Sequence, residues 1–593
     1  MAAIEIDSGG DAFSRHWKLW TFAVWLLTAV ALIIYKWNAI HWFALGDTDD
    51  NMRIMQVRAL LGGQDWYDLR QYRMNPPIGA DMHWSHLVDL PLAGIILLLK
   101  PFVGMAVAEK CAVALGPIIP LGVAFAGLSL TVKRLVAPAS FIVAIGILLS
   151  AYTVLMMFMP LRIDHHGWQL ALLTVNIAGL ADPKPGRGGV TVGIASALSL
   201  VIGLEMIPWL AVSGAAVGLR WIIAREELMR LRGYGAALAG GVGAGYLGFA
   251  SYANAVNRCD ALTPVWLSVM VLAGALVVAL SFVRAEKWQT RLLLAALIGA
   301  VVIAFFALAW PQCIGSPEQV SPELDKLWLS HVSEAKPLYT QNWPTILSVS
   351  TLLIGLCGNL WAMWQERRNP RGAAWAAIAL LSIGSAMLLV WQTRLAATAI
   401  MLSIPGATAI GWTVLPKLRA HSNVLVRTFG VVAAFLAVSG LWAQLLIGQL
   451  PNPNVATPGL KLVNKANATC PTAPALAPIA RMPKATIFTF TDLGPRLITL
   501  THHNAIAGPY HRNGDAILDV QHAFRGTADE ARTIIKRHGA TLLLICPNMS
   551  ESTIYVSENP KGFYTQIARG TVPDWLEPVV LPQRTPFRLW RVR

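Results

Sequence analysis

Charge is scarce in this chain. Asp, Glu, Lys and Arg make up 13% of its 593 residues, where a soluble protein carries about 25%. That scarcity, with 55% hydrophobic residues and a mean hydropathy of +0.53, excludes a soluble fold. Apolar runs recur from residue 17 to 447, each near the roughly 20 residues needed to cross a bilayer core. A cleavable signal is also missing. Residues 19–35 (LWTFAVWLLTAVALIIY) are long for a signal core and carry no small-residue cleavage site before Lys36. They read as a retained first span. No internal repeat of the solenoid or inverted-repeat transporter kind is visible. The net charge of +15 is spread as short basic clusters between apolar runs. This is the pattern of topology signals and anionic-lipid contact, and it excludes a nucleic-acid partner.

Cysteine is sparse, with six in all. Cys111 and Cys357 fall inside spans and read as small hydrophobes. Cys259 and Cys313 lie just past the outer ends of spans, and Cys470 and Cys546 lie in the C-terminal region. Four cysteines in outer segments suit an oxidising compartment. The expected pairings are Cys259–Cys313 and Cys470–Cys546, although sequence alone does not fix connectivity.

Short cytoplasmic loops carry excess Lys and Arg. With the N-terminus inside, thirteen spans are expected at about 18–36, 108–131, 137–159, 168–181, 189–205, 207–224, 234–253, 262–283, 290–310, 344–364, 373–391, 396–415 and 425–447. The inner loops then hold Lys133, Arg134, Lys184, Arg187, Arg225, Arg230, Arg232, Arg284, Lys417 and Arg419, among others. The short outer loops hold only Arg162, Arg258, Lys326, Lys336 and Arg394. This holds only if residues 88–104 do not cross. They are short and broken by Pro91 and Pro101, and read as interfacial or re-entrant. The expected organisation is a membrane domain over 1–447, with long outer loops at 37–107 and 311–343, and an external α/β domain over 448–593. The setting is a bacterial inner membrane with the C-terminal domain in the periplasm.

Two outer constellations carry chemistry. Asp47, Asp49 and Asp50 follow the first span directly. One of them suits the N-cap of the helical run NMRIMQVRALL, and three exceed what a cap requires. Arg162-Ile163-Asp164-His165-His166-Gly167 ends the third span. Its oxygen and nitrogen donors suit Mn²⁺ or Mg²⁺. Because adjacent residues do not all point one way, Asp164 with one His is the expected pair. Glu205 falls at an outer turn, as either a site-lining or a hydrated hairpin residue. THHNAIAGPYHRN, with His502, His503, Tyr510, His511 and Arg512, is dense in polar groups and either faces the site or is ordinary domain surface.

Together these pieces resemble the oligosaccharyltransferase catalytic subunit. Asp47-Thr48-Asp49-Asp50-Asn51-Met52-Arg53 resembles its D-x-x-x-N-x-R segment, followed by a W-x-D element (Trp66-Tyr67-Asp68) and a P-x-G element (Pro77-Ile78-Gly79). Asp164-His165-His166 is similar to the D-H-H of archaeal members. His331-Val332-Ser333-Glu334 resembles the family's late acidic element, and Arg394 resembles its phosphate-binding arginine. The resemblance implies a GT-C fold and transfer of a sugar or oligosaccharide from a polyprenyl-linked phosphate or diphosphate donor, in contact with membrane lipid. It further implies that Asp47 is catalytic and binds metal, that Asp164 and His166 complete the metal site, that Glu334 is catalytic and lies near acceptor and metal, and that Arg394 holds donor phosphate. Asp49, Asp50, His165 and Asp492 are possible lining residues. One departure stands out. Where the family has W-W-D-Y-G, this chain has Phe490-Thr491-Asp492-Leu493-Gly494, so the acceptor is left open among glycan, lipid and protein. The alternatives are an O-mannosyltransferase-like or lipid-modifying GT-C enzyme and, last, a transporter of lipid-linked sugars.

Overall fold

A computed structural model of the protein describes residues 12–449, 457–583 and 585–593. Six of its helices are long and apolar enough to cross a membrane, and two bent helix pairs bring the number to eight. Helix Trp288–Ala309 has a mean hydropathy of 2.9 in its most apolar window, none of which is buried by protein. A fully exposed apolar helix is stable against lipid and not against water. Thr393–Arg419 is the opposite case, with 83% of its window buried. It runs through the middle of the bundle. Small residues let it approach helix Thr351–Glu366 closely: a Cβ added at Gly358 or Gly406 would strike the backbone of the facing helix. Asn359 there donates through its amide nitrogen to Ser382 Oγ at 2.8 Å and to the Leu402 carbonyl at 3.0 Å, tying three helices together.

Helix lies over each expected stretch, and two of the stretches are sharply bent. The 137–159 stretch bends by 83° between Pro138–Ser150 and Tyr152–Phe158, and the 425–447 stretch bends by 88° between Val426–Ser439 and Leu441–Gln449. At the second bend Gly440 takes φ 72°, a conformation that favours glycine. Residues 88–104 form helix Asp89–Val103, which ends at Gly104 (φ 75°) and packs back against Met105–Leu115.

The C-terminal region is built on a five-stranded sheet in the order β2-β1-β3-β5-β4. Its strands are β1 (Thr486–Phe488), β2 (Asn504–Ala505), β3 (Leu542–Ile545), β4 (Leu576–Pro578) and β5 (Arg588–Val592). β1 is parallel to β2 and β3, while β5 is antiparallel to β3 and β4. The segment TADEARTIIKRHG gives helix Ala528–Arg537, started by a capping box between Thr527 and Glu530. Phe488, Phe490, Phe524 and Tyr555 fill the core beneath the sheet. Both expected disulfides are present, Cys259–Cys313 and Cys470–Cys546.

This C-terminal region is fastened to the segment 37–107. Arg496 Nη1 donates to Asn51 Oδ1 at 3.1 Å, Arg58 Nη1 to the Thr499 carbonyl at 2.7 Å, and Tyr510 Oη to the Thr48 carbonyl at 2.9 Å. A second anchor is ionic. Asp260 accepts from His511 Nε2 and from Arg512 Nε and Nη2, each at 2.7 Å.

Candidate active site

Asp47 is the N-cap of helix Thr48–Leu61, its Oδ1 accepting from the Asp49 amide at 3.0 Å. A carboxylate is favourable there because the first amides of a helix have no helical partner. Asp50, one turn on, is buried, and its Oδ1 accepts from the amides of Ile163 (2.7 Å) and Asp164 (3.1 Å). Two segments more than a hundred residues apart are thereby locked together. Arg162 lies between them. Its guanidinium pairs with Asp47, reaches Asp164 Oδ2 at 2.7 Å and stands 3.9 Å from Asp50 Oδ2.

Asp164 Oδ1 accepts from the His166 amide at 3.0 Å, at the start of helix His166–Leu180. The two imidazoles lie 4.5 Å apart with their planes at 40°. Both meet Glu205: His165 Nε2 pairs with Oε1, and His166 Nδ1 is 3.3 Å from Oε2. The expected pair was Asp164 with one His; here the two histidines share a partner. The backbone turns into the helix at these two residues, so their rings converge on one partner. It also decides the role of Glu205, which faces the site. The turn that carries it is held by Gln169, whose Nε2 donates to the carbonyls of Ser199 (3.1 Å) and Gly203 (3.2 Å).

Trp84 walls the cluster, 6.0 Å from the His165 ring and edge-on to Tyr510 at 5.6 Å. The Arg53 guanidinium stacks 4.4 Å over Trp84 and pairs with the buried Asp89 at 3.0 Å. Arg53 and Asn51 thus shape the loop and its docking. Trp66, in the W-x-D element, donates to the Gly248 carbonyl at 2.6 Å and fixes the loop to helix Leu228–Phe249.

The charges are unbalanced toward carboxylate. Burial, then the nearby Asp47 and Asp164, push Asp49 up to about 7. Burial and Asp164 also raise Asp50 well above the usual carboxylate range. Burial opposes ionisation of Asp47 too, but Arg162 outweighs it and holds this carboxyl below its ordinary value. His166 is held up at about 10, because Asp164 and Glu205 outweigh its burial. Glu205 is held down by both histidines against the same desolvation.

The remaining expected residues are placed as follows. Asp492 follows β1, its amide and that of Thr491 donating to Glu551 at 2.8 and 2.9 Å. Desolvation, then Glu551 and Asp47, push its carboxyl up to about 7, so it stands within electrostatic reach of Asp47. Phe490 and Thr491 are buried in the domain core. Of the polar run, only Tyr510 reaches the acidic segment directly, while His511 and Arg512 hold Asp260, and His502 and His503 bond within their own domain. Arg394 is half-exposed, donating to Gln392 Oε1 at 2.6 Å and lying 3.7 Å from Glu318. Glu334 is exposed in the neighbouring turn Ser333–Ala335. Backbone bonds from Leu338 to Leu389 and from Thr393 to Lys336, both 2.9 Å, knit these two stretches together. Among the described residues no hydrogen bond or ion pair joins Glu334 or Arg394 to the Asp47–Asp164 cluster.

A cation fits this donor set. His165, His166 and Glu205 each offer a ligand atom, all within 4.8 Å of one another. Arg162 was the unassigned member of the site. Its position two residues before Asp164 was the available signal.

No family model matches this chain, and no curated protein does. Solved structures do match. The archaeal oligosaccharyltransferase AglB from Archaeoglobus fulgidus, in complex with an inhibitory peptide and a dolichol-phosphate, superposes with a TM-score of 0.67 at 14% identity, over 96% of this chain and 73% of that one. The apo form of the A. fulgidus enzyme gives 0.64 at 15% identity, over 96% and 73%. Its complex with Zn and sulfate gives 0.61 at 14% identity, over 94% and 71%. The likeness is one of fold: the chain shares the fold of the A. fulgidus oligosaccharyltransferase.

Proposed function

We propose that this chain is a glycosyltransferase that passes a sugar or oligosaccharide from a polyprenyl-(di)phosphate carrier to a glycan, lipid or protein acceptor on the non-cytoplasmic side of the membrane. The observation that carries this reading is the junction of Asp50 with the amides of Ile163 and Asp164. It gathers Asp47, Asp164 and His166 at one place on a fold shared with AglB. The proposal includes thirteen spans, a cytoplasmic N-terminus, a membrane domain over 1–447 and a periplasmic domain over 448–593, in a bacterial inner membrane. Residues 450–456 of that junction lie outside the described residues.

Breaking a bond between an anomeric carbon and phosphate builds negative charge on the leaving oxygens. A bound divalent ion such as Mn²⁺ or Mg²⁺ supplies positive charge to such oxygens, and Asp47, Asp164 and His166 are the residues that would hold it. Asp47, kept ionised by Arg162 and fixed by the Asp49 amide, accepts a hydrogen bond from the acceptor and orients it. Arg394 presents a guanidinium for paired bonds to donor phosphate, and Glu334 sits on the acceptor side. A lipid-modifying or O-mannosyltransferase-like enzyme is the second reading. It is favoured by the burial of Phe490 and Thr491, which removes them from contact with an acceptor peptide.

Purified protein with labelled polyprenyl-linked sugar and Mn²⁺ tests the reading. Transfer by Asp47→Ala and by Asp164→Ala should fall by about 10²–10³-fold, the scale of losing one charge-stabilising group. Wild-type rates in both would overturn it.

A further inference from the structure

We propose that His165, His166 and Glu205 form a metal site in which Glu205 is a direct ligand, selective for a Mn²⁺- or Zn²⁺-type ion over Mg²⁺. Its purpose rests on the glycosyltransferase reading, whereas the binding does not. The resemblance points elsewhere, to Asp47, Asp164 and His166. In the structure, however, Asp47 and Asp164 are both taken by the Arg162 guanidinium, which already supplies positive charge between them.

No arginine or lysine pairs with Glu205 among the described residues; its two oxygens face two imidazoles instead. The 3.3 Å between His166 Nδ1 and Glu205 Oε2 matches the edge of about 3.4 Å expected for a tetrahedral ion with bonds of about 2.1 Å. His165 is only 4% exposed, and its Nδ1 has no hydrogen-bond partner. Buried polar atoms are rarely left unmet, so this corner has unused donor capacity at His165 Nδ1. Glu205 comes from a turn that Gln169 braces at two carbonyls, as a ligand carried on a loop requires. Two imidazoles and one carboxylate are the donors of zinc, manganese and iron sites, while Mg²⁺ prefers all-oxygen shells rich in water.

The test uses the full chain in detergent, stripped with a chelator. Mn²⁺ binding is read from loss of the free-ion electron paramagnetic signal, and site symmetry from Co²⁺ visible absorption. Glu205→Gln and His165→Gln should each weaken Mn²⁺ at least about 10–100-fold and change the Co²⁺ spectrum, with thermal unfolding confirming that they fold. Asp47→Asn should leave both readouts in place, and Mg²⁺ should compete poorly. Loss of binding in Asp47→Asn with retention in Glu205→Gln would overturn the assignment in favour of the aspartate pair. Absence of Mn²⁺ or Co²⁺ binding by the wild type would leave only an imidazole–carboxylate pair and overturn it altogether. Metal bound as described without any sugar transfer would count against the enzyme reading alone.

Discussion

Two buried ionic clusters lie on either side of the dipeptide His83-Trp84, and they are built in opposite ways. The His83 ring is 4.8 Å from His511, and the Trp84 ring 6.0 Å from His165. On the His511 side, Asp260 takes three hydrogen bonds from His511 and Arg512, and Asp81 is met by Arg512 at 3.3 Å and Arg258 at 3.4 Å. Every carboxylate there has a cation, and the Asp260 carboxyl is held far below its ordinary value by those bonds, in spite of burial. On the His165 side, Arg162 is shared by three aspartates, and Asp49 and Asp50 are pushed upward. A balanced cluster fastens one domain to another. A surplus of carboxylate is costly to fold and becomes useful only when a cation or a substrate group arrives.

Breaking the balanced cluster should have the largest effect on stability. Asp260→Ala leaves Arg512, whose side chain is 2% exposed, without its main partner, and stranding one member of a buried pair costs about 3–5 kcal/mol. We expect a lower melting temperature and faster proteolysis of the C-terminal domain. An unchanged melt would mean that the Asp260 contacts do not hold the domain. Asp50→Ala should cost less, about 1–3 kcal/mol for the two amides left without an acceptor. It should also free the loop around Asp47, so that protease cleavage within 37–107 rises and sugar transfer falls. If Asp50→Ala proved the more destabilising of the two, the roles given to the clusters would have to be exchanged.

How far the sequence carried these conclusions depends on the range of the interaction. Apolar stretches are local, so the positions of the long apolar helices were readable. The breaks near Ala151 and Gly440 were not, because a long apolar run reads the same whether straight or bent. Asp47 was legible as a cap because capping is set by the next three residues. The partnership of Glu205 with His165 and His166 spans about 40 residues, and that of Asp260 with Arg512 about 250. Neither leaves a spacing pattern. Convergence of the adjacent histidines was hidden for a different reason, since it depends on backbone angles at a helix start and not on residue type.

The smallest expected effect is the pH dependence, and it separates the clusters by sign. Asp49 has a folded value near 7 against an ordinary 3.8. Between those limits the folded protein keeps a proton that the unfolded chain has released, so stability from this group falls as pH rises from about 4 to 7. Asp260 is shifted the other way. Its contribution is fully present above an unfolded value near 3.8 and is lost only as pH falls below it. Across pH 4 to 7, then, the site contributes a downward slope and the clamp contributes none. Melting temperatures of Asp49→Asn should show a flatter profile over that window, with a modest gain over wild type at pH 8. Asp260→Asn should lower the whole profile above pH 4 without altering its slope. A slope unchanged in Asp49→Asn would show that this carboxyl is ionised in the folded protein throughout, and the contrast between a surplus cluster and a balanced one would then rest on Asp50 alone.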